Sequence, residues 1–270
     1  MTTRQKAFVH VDHDPMLDII QGSRPDLTNT EIEGVSSSLS SGVEKCVWNE
    51  DSPFSYTTNS NETNLHIVST SALDTSAGTG ARTILVEGLT HAVVSSVDEY
   101  QVVSETITLN GTTNVNLVNN YYRVLKLSTA TAGSTGLNQG NIKVFDPASS
   151  SVFATMAGGD NVSNQAVLAP HTGNDMLLEK LHIMGHFETP VELKVNIYSE
   201  SSGLQRTIYK FFMSSNGTEF NVNVRKKLVA GDTLWVSINP LATVAGSHNR
   251  VAVLLEATLK TNNLVVPALV

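Results

Sequence analysis

Short segments in which apolar and polar residues alternate recur along most of this chain, separated by turn-forming residues every eight to twelve residues or so. The clearest is 191–199 (VELKVNIYS), in which every second residue from Val191 to Ile197 is aliphatic. Period-two alternation is typical of a strand with one face on a core and the other, here Glu192, Lys194 and Asn196, in water. No amphipathic pattern longer than three helical turns interrupts the series. The sequence therefore predicts an all-β protein of the β-sandwich or jelly-roll type.

The 270 residues are enough for two ordinary domains. We predict two β-sandwich or jelly-roll-like units, residues 46–148 and 169–262. The Ser-, Gly- and Asn-rich stretch between them, 149–168, has the composition of a linker. Residues 1–45 have weak periodicity, and we predict an extended N-terminal arm there. The apolar C-terminal tail, 263–270, and the arm are both expected to be mobile in the isolated protein and ordered against a partner.

Charge and composition limit the classes of partner. Seventeen Lys and Arg residues oppose 25 Asp and Glu, giving a formal net charge of −8. No basic run exceeds 225–227, so the clustered basic footprint of a nucleic-acid-binding protein is missing and we predict no nucleic-acid partner. Only 16% of the residues are charged, and Ser, Thr and Asn take their place. A surface of small neutral polar groups is common in extracellular and virion proteins.

Compartment and redox state follow from three observations. Cys46 is the single cysteine, which excludes an internal disulfide and is interpreted as a small buried hydrophobe. The N-terminus lacks an apolar segment of signal-peptide length, and no apolar window reaches transmembrane length. We therefore expect a protein that stays in the cytoplasm of the producing cell or leaves it by lysis, without a membrane partner. The four glycosylation sequons are interpreted as accidents of composition: Asn61, Asn110, Asn161 and Asn216.

The segment DTSAGTGARTILVEGL, residues 74–89, could be a phosphate cradle or a tight structural turn. A P-loop needs four residues between its glycines followed by Lys-Ser/Thr, and a dinucleotide fingerprint needs a third glycine opening a helix; neither is present. We predict a turn in which Asp74 and Thr75 act as side-chain caps and Gly78 and Gly80 permit positive φ. Arg82 starts the next strand and ties the turn down by hydrogen bonds. We predict no cofactor.

The spacing of the histidines and carboxylates argues against other sites. His182 and His186 would share a strand face, but with Cβ atoms about 13 Å apart they could not bind one metal ion. Asp98 and Glu99 lie beside an apparent turn and indicate a solvated loop. No Gly-x-Ser-x-Gly elbow is present, so we assign no catalytic residue and expect no enzyme. An N-terminal cluster could bind a divalent cation or be a solvated arm, and is left open: His10, Asp12, His13 and Asp14.

Residues 46–145 resemble a segment that recurs in virion structural proteins of tailed phages, especially marine and cyanobacterial ones, and in some large algal viruses. The shared positions are Trp48, Ser69, Asp74, Ala77 to Arg82, Gly88, Leu89, Leu109 to Thr112, Arg123, Gly133, Gly136 and Gly140. Residues 90–100 (THAVVSSVDEY) depart from the short polar turn usual in that family. The second half resembles, more weakly, the small β-sandwich that often follows. We predict a structural motif formed by Asp74, Gly78, Gly80, Arg82, Gly88, Asn110 and Gly111, with Gly88 ending a strand and Asn110-Gly111 turning a two-residue hairpin.

The resemblance implies a non-enzymatic structural protein located in the virion, either a capsid decoration, cement or minor capsid protein, or a tail or fibre component. We expect homo-oligomers, most simply trimers, and contacts with other virion proteins such as the major capsid protein. The interface residues proposed in the tail are Leu264, Val265, Val266, Pro267 and Leu269.

Two other functions were considered. One is binding of a host-surface glycan on a platform formed by Trp48, Trp235 and the tyrosines, although core positions for both tryptophans are favoured. The other is a hydrolase or nuclease, for which no acid–base constellation is present.

Overall fold

The computed structural model describes residues 27–36, 44–48, 54, 61–187, 189–213, 218–241 and 250–261. Within these ranges the chain forms strands and no helix, which confirms the predicted all-β class. The strands are β1 (Leu27–Ser36), β2 (Lys45–Cys46), β3 (His66–Ser69), β4 (Ala81–Val94), β5 (Val97–Thr108), β6 (Val115–Asn116), β7 (Arg123–Ala132), β8 (Ile142–Phe145), β9 (Val152–Met156), β10 (Val167–Leu168), β11 (Asn174–His186), β12 (Val191–Ser199), β13 (Leu204–Met213), β14 (Thr218–Leu228), β15 (Thr233–Pro240) and β16 (Arg250–Thr261).

Two antiparallel sheets make up most of the C-terminal half. One has the order β1-β16-β11-β14, and the other has the order β10-β15-β12-β13 with β2 added alongside β15. Alternate residues of both sheets point into one shared core, which includes Leu181, Ile183, Leu193, Val236 and Leu255. Burial of these branched side chains from both sheets, at about 25 cal/mol for each Å² of apolar surface, is the main stabilising contribution in this half.

The outer face of β12 does not face water, contrary to the alternation in the sequence. Glu192 and Asn196 are both buried. Glu192 lies within 3.3 Å of Lys194 Nζ and 2.9 Å of Lys210 Nζ, while Asn196 donates a hydrogen bond to Ser237 Oγ at 2.8 Å. A second apolar cluster, which includes Trp48 and Trp235, covers this side of the sheet. Polar residues are therefore tolerated there because they are paired.

Residues 27–36 correct the prediction of an extended N-terminal arm over 1–45. They form β1, which pairs antiparallel with β16 along its whole length, from Leu27 opposite Lys260 to Ser36 opposite Val251. Ile32 packs against the shared core. β2 also belongs to the C-terminal half. The pairing joins segments more than 200 residues apart in the chain, which a local pattern cannot reveal. The rest of the predicted arm and the tail 263–270 lie outside the described residues.

Two smaller antiparallel sheets form the first unit. Their orders are β6-β3-β8-β9 and β5-β4-β7. Their common core includes Ile67, Ile84, Val86, Leu127 and Val144, all fully buried.

Residues 149–168 are not the linker that their composition indicated. β9 pairs with β8 of the first unit, and β10 pairs with β15 of the C-terminal half. Phe153, Ala154 and Met156 are buried in the first core. The small polar residues that resembled a linker occupy turns and bends between two strands, so the segment connects the halves while belonging to both.

Candidate functional site

The Asp74 side chain is the centre of the glycine-rich turn and is completely buried. Its Oδ1 accepts hydrogen bonds from the amides of Ala81 at 2.8 Å and Gln139 at 2.9 Å. Its Oδ2 accepts from the Ser69 hydroxyl at 2.6 Å and the Gly140 amide at 2.9 Å. One carboxylate thus joins three separate chain segments. Four hydrogen-bond donors satisfy its two oxygens, which makes a buried acid tolerable at this position.

Gly78 and Gly80 are needed for close approach, and the prediction that they adopt positive φ was wrong, since neither is among the positive-φ glycines. A Cβ on Gly78 would lie 2.0 Å from the carbonyl oxygen of Leu73, and one on Gly80 would lie 2.1 Å from Asp74 Oδ1. Both distances are far below van der Waals contact. The turn can therefore close around the carboxylate only if these positions carry no side chain.

Arg82 makes the contact expected of it. Its Nε donates to the carbonyl oxygen of Gly78 at 3.1 Å, which holds the turn against the start of β4. Gly111, in the left-handed region with φ of 59°, donates its amide to the carbonyl oxygen of Asp74 at 2.8 Å. These residues therefore come together around Asp74, and every donor and acceptor named is used within the chain.

The structure corrects two predictions: that Gly88 ends a strand and that Asn110-Gly111 turns a two-residue hairpin. Gly88 does not end a strand; it lies in the middle of β4 at a bulge, where a Cβ would be 2.1 Å from the carbonyl oxygen of Arg123. Asn110 does lie in a turn, with its carbonyl accepting from the Thr113 amide at 3.0 Å. However, the turn does not join two paired strands, because β5 pairs with β4 and β6 pairs with β3.

Residues 90–100 form the end of the β4–β5 hairpin rather than a loop. Ser95 and Ser96 have φ of 50° and 66° between the paired residues Val94 and Val97. This is a two-residue hairpin turn with both residues left-handed, whose twist matches that of the strands. Asp98 follows this turn in β5 and its Oδ1 lies 2.8 Å from His91 Nε2. Sequence reasoning missed the turn because its usual Asn-Gly signal is absent.

A buried polar junction holds the first unit against the C-terminal half. The Tyr122 hydroxyl donates to Glu200 Oε2 at 2.6 Å and lies 2.8 Å from the carbonyl oxygen of Gly231. Arg123 donates through Nε to Thr233 Oγ1 at 2.8 Å, and its guanidinium lies 3.8 Å from the centre of the Tyr122 ring. Burial, together with the bond to Glu200, raises the pKa of Tyr122 and keeps it a donor.

The β4–β5 hairpin adds a second connection to the same junction. The Tyr100 amide donates to Thr172 Oγ1 at 2.7 Å, and the Thr172 amide donates back to the carbonyl oxygen of Tyr100 at 2.8 Å. The Tyr100 and Tyr122 rings are 4.8 Å apart. In the sequence, Arg123 belongs only to the resemblance, the tyrosines only to a possible glycan platform, and Glu200 to no motif. The junction could not be foreseen, because the partners lie about 80 to 110 residues away.

The residues considered for an aromatic platform are in the core. Trp48 is 0% exposed and Trp235 4%, and Phe54 packs between them with ring centres 6.3 and 5.1 Å away. This confirms the favoured core interpretation. Cys46 is in the same cluster, and burial raises the pKa of its thiol, as expected for a buried hydrophobe.

The other residues singled out in the sequence are His182, the N-terminal His/Asp cluster and the apolar tail. His182 Nε2 lies 3.0 Å from Glu219 Oε1, an interaction of the sheet surface. In the described part of the chain no group of three or more His, Cys, Asp and Glu residues could hold a metal ion. None of its secondary-structure elements is a helix with the length and apolarity to cross a membrane. The cluster His10, Asp12, His13 and Asp14 and the interface residues Leu264, Val265, Val266, Pro267 and Leu269 lie outside the described ranges.

A cleft of about 600 Å³ separates β1 from the sheet of β4, β5 and β7. Apolar side chains such as Ile32, Leu89 and Leu125 form most of its lining, and polar groups, among them those of Glu33 and Asn164, lie between them. Its size is in the range of small-molecule sites. No sequence pattern predicts this cleft, because residues 27–36 have the composition of an arm and only their pairing with β16 forms one of its walls.

Comparison with known proteins gives little. No family model and no curated protein matches the chain. A solved structure of infectious bursal disease virus, Gt strain, aligns with 87% of this chain and 76% of its own at 11% identity, with a TM-score of 0.17. At that score the alignment carries no argument about fold or function.

Proposed function

We propose that this chain is a non-enzymatic structural component of a virion, a capsid decoration, cement or minor capsid protein that stabilises the particle through contacts between subunits. The observation that carries the proposal is a pair of locked β units with large apolar side chains exposed on the β4–β5 hairpin and on the edge strand β13. Val93 and Val102 of the hairpin are each 64% exposed, and Leu204 and Phe212 of β13 are 63% and 70% exposed. Apolar side chains grouped in this way indicate an interaction surface.

The polar junction supports a scaffold. Burying Tyr122, Arg123 and Glu200 between the two halves is favourable only while each keeps its partners, so small relative movements of the halves are penalised. A binding protein that closes a hinge around its ligand would instead need two halves that move easily relative to each other. We infer in addition that the four sheets are two β-sandwich units of jelly-roll type, which expose strand edges suited to lateral contacts.

The low charge of the surface supports long-lived contacts. Short Ser, Thr and Asn side chains lose less conformational entropy on burial than Lys, Arg and Glu. We therefore propose that the protein is located in the virion, where it associates with itself, most simply as a trimer, and with the major capsid protein. Light scattering on the purified protein tests the first association, and a monomer at micromolar concentration would contradict it.

The decisive test of the function is the composition of purified particles. We expect quantitative mass spectrometry of gradient-purified virions to find this chain in a fixed ratio to the major capsid protein across preparations. An abundant host protein measured in the same fractions is the control, because its ratio should vary with the wash. Absence from the particles, or a ratio that varies as the host protein's does, would overturn the proposal.

The tail 263–270 stays a predicted interface. Deleting it should leave the melting temperature unchanged and reduce incorporation into particles, because its apolar residues would be held by a neighbour; Pro267 cannot donate to a strand ladder, so an edge contact is expected. Unfolding of the truncated protein would place the tail in the chain's own core.

The alternative is a tail or fibre component that binds a host-surface glycan. The cleft favours it, because amides and carboxylates such as those of Asn164 and Glu33 hydrogen-bond sugar hydroxyls, whereas both tryptophans are buried. Specific binding on a glycan array that is lost in Glu33→Ala would support this alternative.

A further inference from the structure

Two outer strands differ in charge sign. β5, at the end of the order β5-β4-β7, carries Asp98, Glu99 and Glu105 and no Lys or Arg. β13, at the end of the order β10-β15-β12-β13, carries Arg206 and Lys210 and no Asp or Glu. Within the described residues each strand has one neighbouring strand in its sheet. β13 therefore presents a strand edge at which a further chain can dock. In β5 the backbone of Tyr100 is already bonded to Thr172, so docking there uses the side chains near the hairpin turn.

Each edge combines its charge with exposed apolar side chains. We define the hairpin tip as residues 93–102, in which Val93, Val94 and Val97 are 64%, 46% and 60% exposed. We define the β13 edge as residues 204–212, which Leu204 and Phe212 flank. The hairpin tip thus combines acidic residues with exposed valines, and the β13 edge combines basic residues with an exposed apolar side chain near each end.

Several charges on these surfaces already have partners within the chain. Asp98 lies 2.8 Å from His91 Nε2, and Lys210 lies 2.9 Å from Glu192 Oε1. Glu105 accepts hydrogen bonds from the amide of Val118 at 2.8 Å and that of Asn119 at 3.0 Å. Glu99 accepts from the exposed Gln101 amide at 3.1 Å. Among the acidic residues of the tip, Glu99 therefore loses its partner at the lowest free-energy cost when a second subunit binds.

We propose that the hairpin tip of one copy of this chain docks on the β13 edge of a second copy, with Glu99 of the first facing Arg206 of the second. Contact between two tips would bring like carboxylates together, and contact between two β13 edges would bring like cations together. Like charges facing each other disfavour such pairings. The contact is therefore heterologous, and such contacts close into rings when the rotation allows, a trimer among them. This inference rests on the proposed function, since it supplies the subunit contact.

Charge reversal tests the contact. Glu99→Lys and Arg206→Glu should each weaken self-association by about tenfold in sedimentation or light scattering, because one attraction becomes a repulsion. The double variant Glu99→Lys/Arg206→Glu should recover association. A mixture of the two single variants in equal amounts should recover it in part, because a closed trimer that contains both variants keeps one like-charged interface. Asp160→Lys, which makes the same charge change on an exposed turn away from both strands, is the matched control and should associate normally.

Other results would overturn the contact. Unchanged association of Glu99→Lys together with altered association of Arg206→Glu would point to pairing of two β13 edges and would exclude this contact. Single variants that associate like the control, or a double variant no better than either single one, would also exclude it. A wild-type protein that is monomeric throughout yet present in particles at a fixed ratio would refute this contact and leave the virion function standing. Absence from particles would refute the function itself.

Discussion

Replacing Asp74 with alanine should be among the most damaging single substitutions in the chain. It removes the acceptor for three backbone amides and one hydroxyl in a fully buried turn. An unsatisfied buried donor costs about 1–3 kcal/mol, and water entering the vacated space restores part of the loss. We expect a loss of about 4 kcal/mol from a total stability of about 5–15 kcal/mol, and a melting temperature lower by about 8–16 °C.

Asp146→Ala is the matched control. Asp146 accepts a similar set of bonds, from the amides of Ala148 and Ser149 and from the Ser149 hydroxyl. These bonds are exposed and local, so water replaces them, and we expect a loss below about 1 kcal/mol. Thermal and chemical denaturation of both variants measures the difference.

Asp74→Asn covers the case in which the alanine variant does not fold. Its amide oxygen can keep two donors, but its NH₂ group would face the Gly140 amide, donor against donor. We expect an intermediate loss of stability, and faster hydrogen exchange at the amides of Ala81, Gln139 and Gly140. If Asp74→Ala were no less stable than Asp146→Ala, the carboxylate would not hold the turn together and the reasoning would be refuted.

Three further substitutions test other parts of the structure. Arg82→Ala should cost about 1 kcal/mol, because one half-exposed hydrogen bond is lost; an equal loss in Lys260→Ala, which removes an exposed cation outside the proposed subunit contact, would show that Arg82 is no anchor. Tyr122→Phe should cost about 2 kcal/mol, since a buried carboxylate loses its donor, and calorimetry should resolve two transitions where the wild type has one; an unchanged single transition would mean that the junction does not couple the halves. Burial opposes ionisation of Glu44, but hydrogen bonds from Lys194 and Ser237 lower its pKa, so its stabilising contribution is present above the unfolded-state pKa and lost as the pH falls through the folded one. The melting temperature of the wild type should therefore fall more steeply from about pH 5 to 3 than that of Lys194→Met, and parallel curves would contradict this.

The sequence by itself determined the fold class and the local character of the glycine-rich turn. Period-two alternation can be recognised from neighbouring residues alone, and it predicted the all-β class. The same is true of the Arg82 contact, which spans four residues, and of Trp48 and Trp235, whose large apolar surfaces favour burial wherever they lie. The contact around Asp74 was only partly foreseen, because Gln139 and Gly140 are 65 and 66 residues away.

The tertiary structure alone decided which strands are neighbours. The sequence of β1 resembles an arm, and only its pairing with β16 makes it a strand of the sheet. Residues 149–168 have the composition of a linker, but β9 pairs with β8 and β10 pairs with β15. Strand pairing uses backbone groups that every residue carries, so the sequence of a strand does not name its partner. The junction of Tyr122, Arg123 and Glu200 has the same origin: its residues are ordinary in sequence, and only packing of the two halves buries them together.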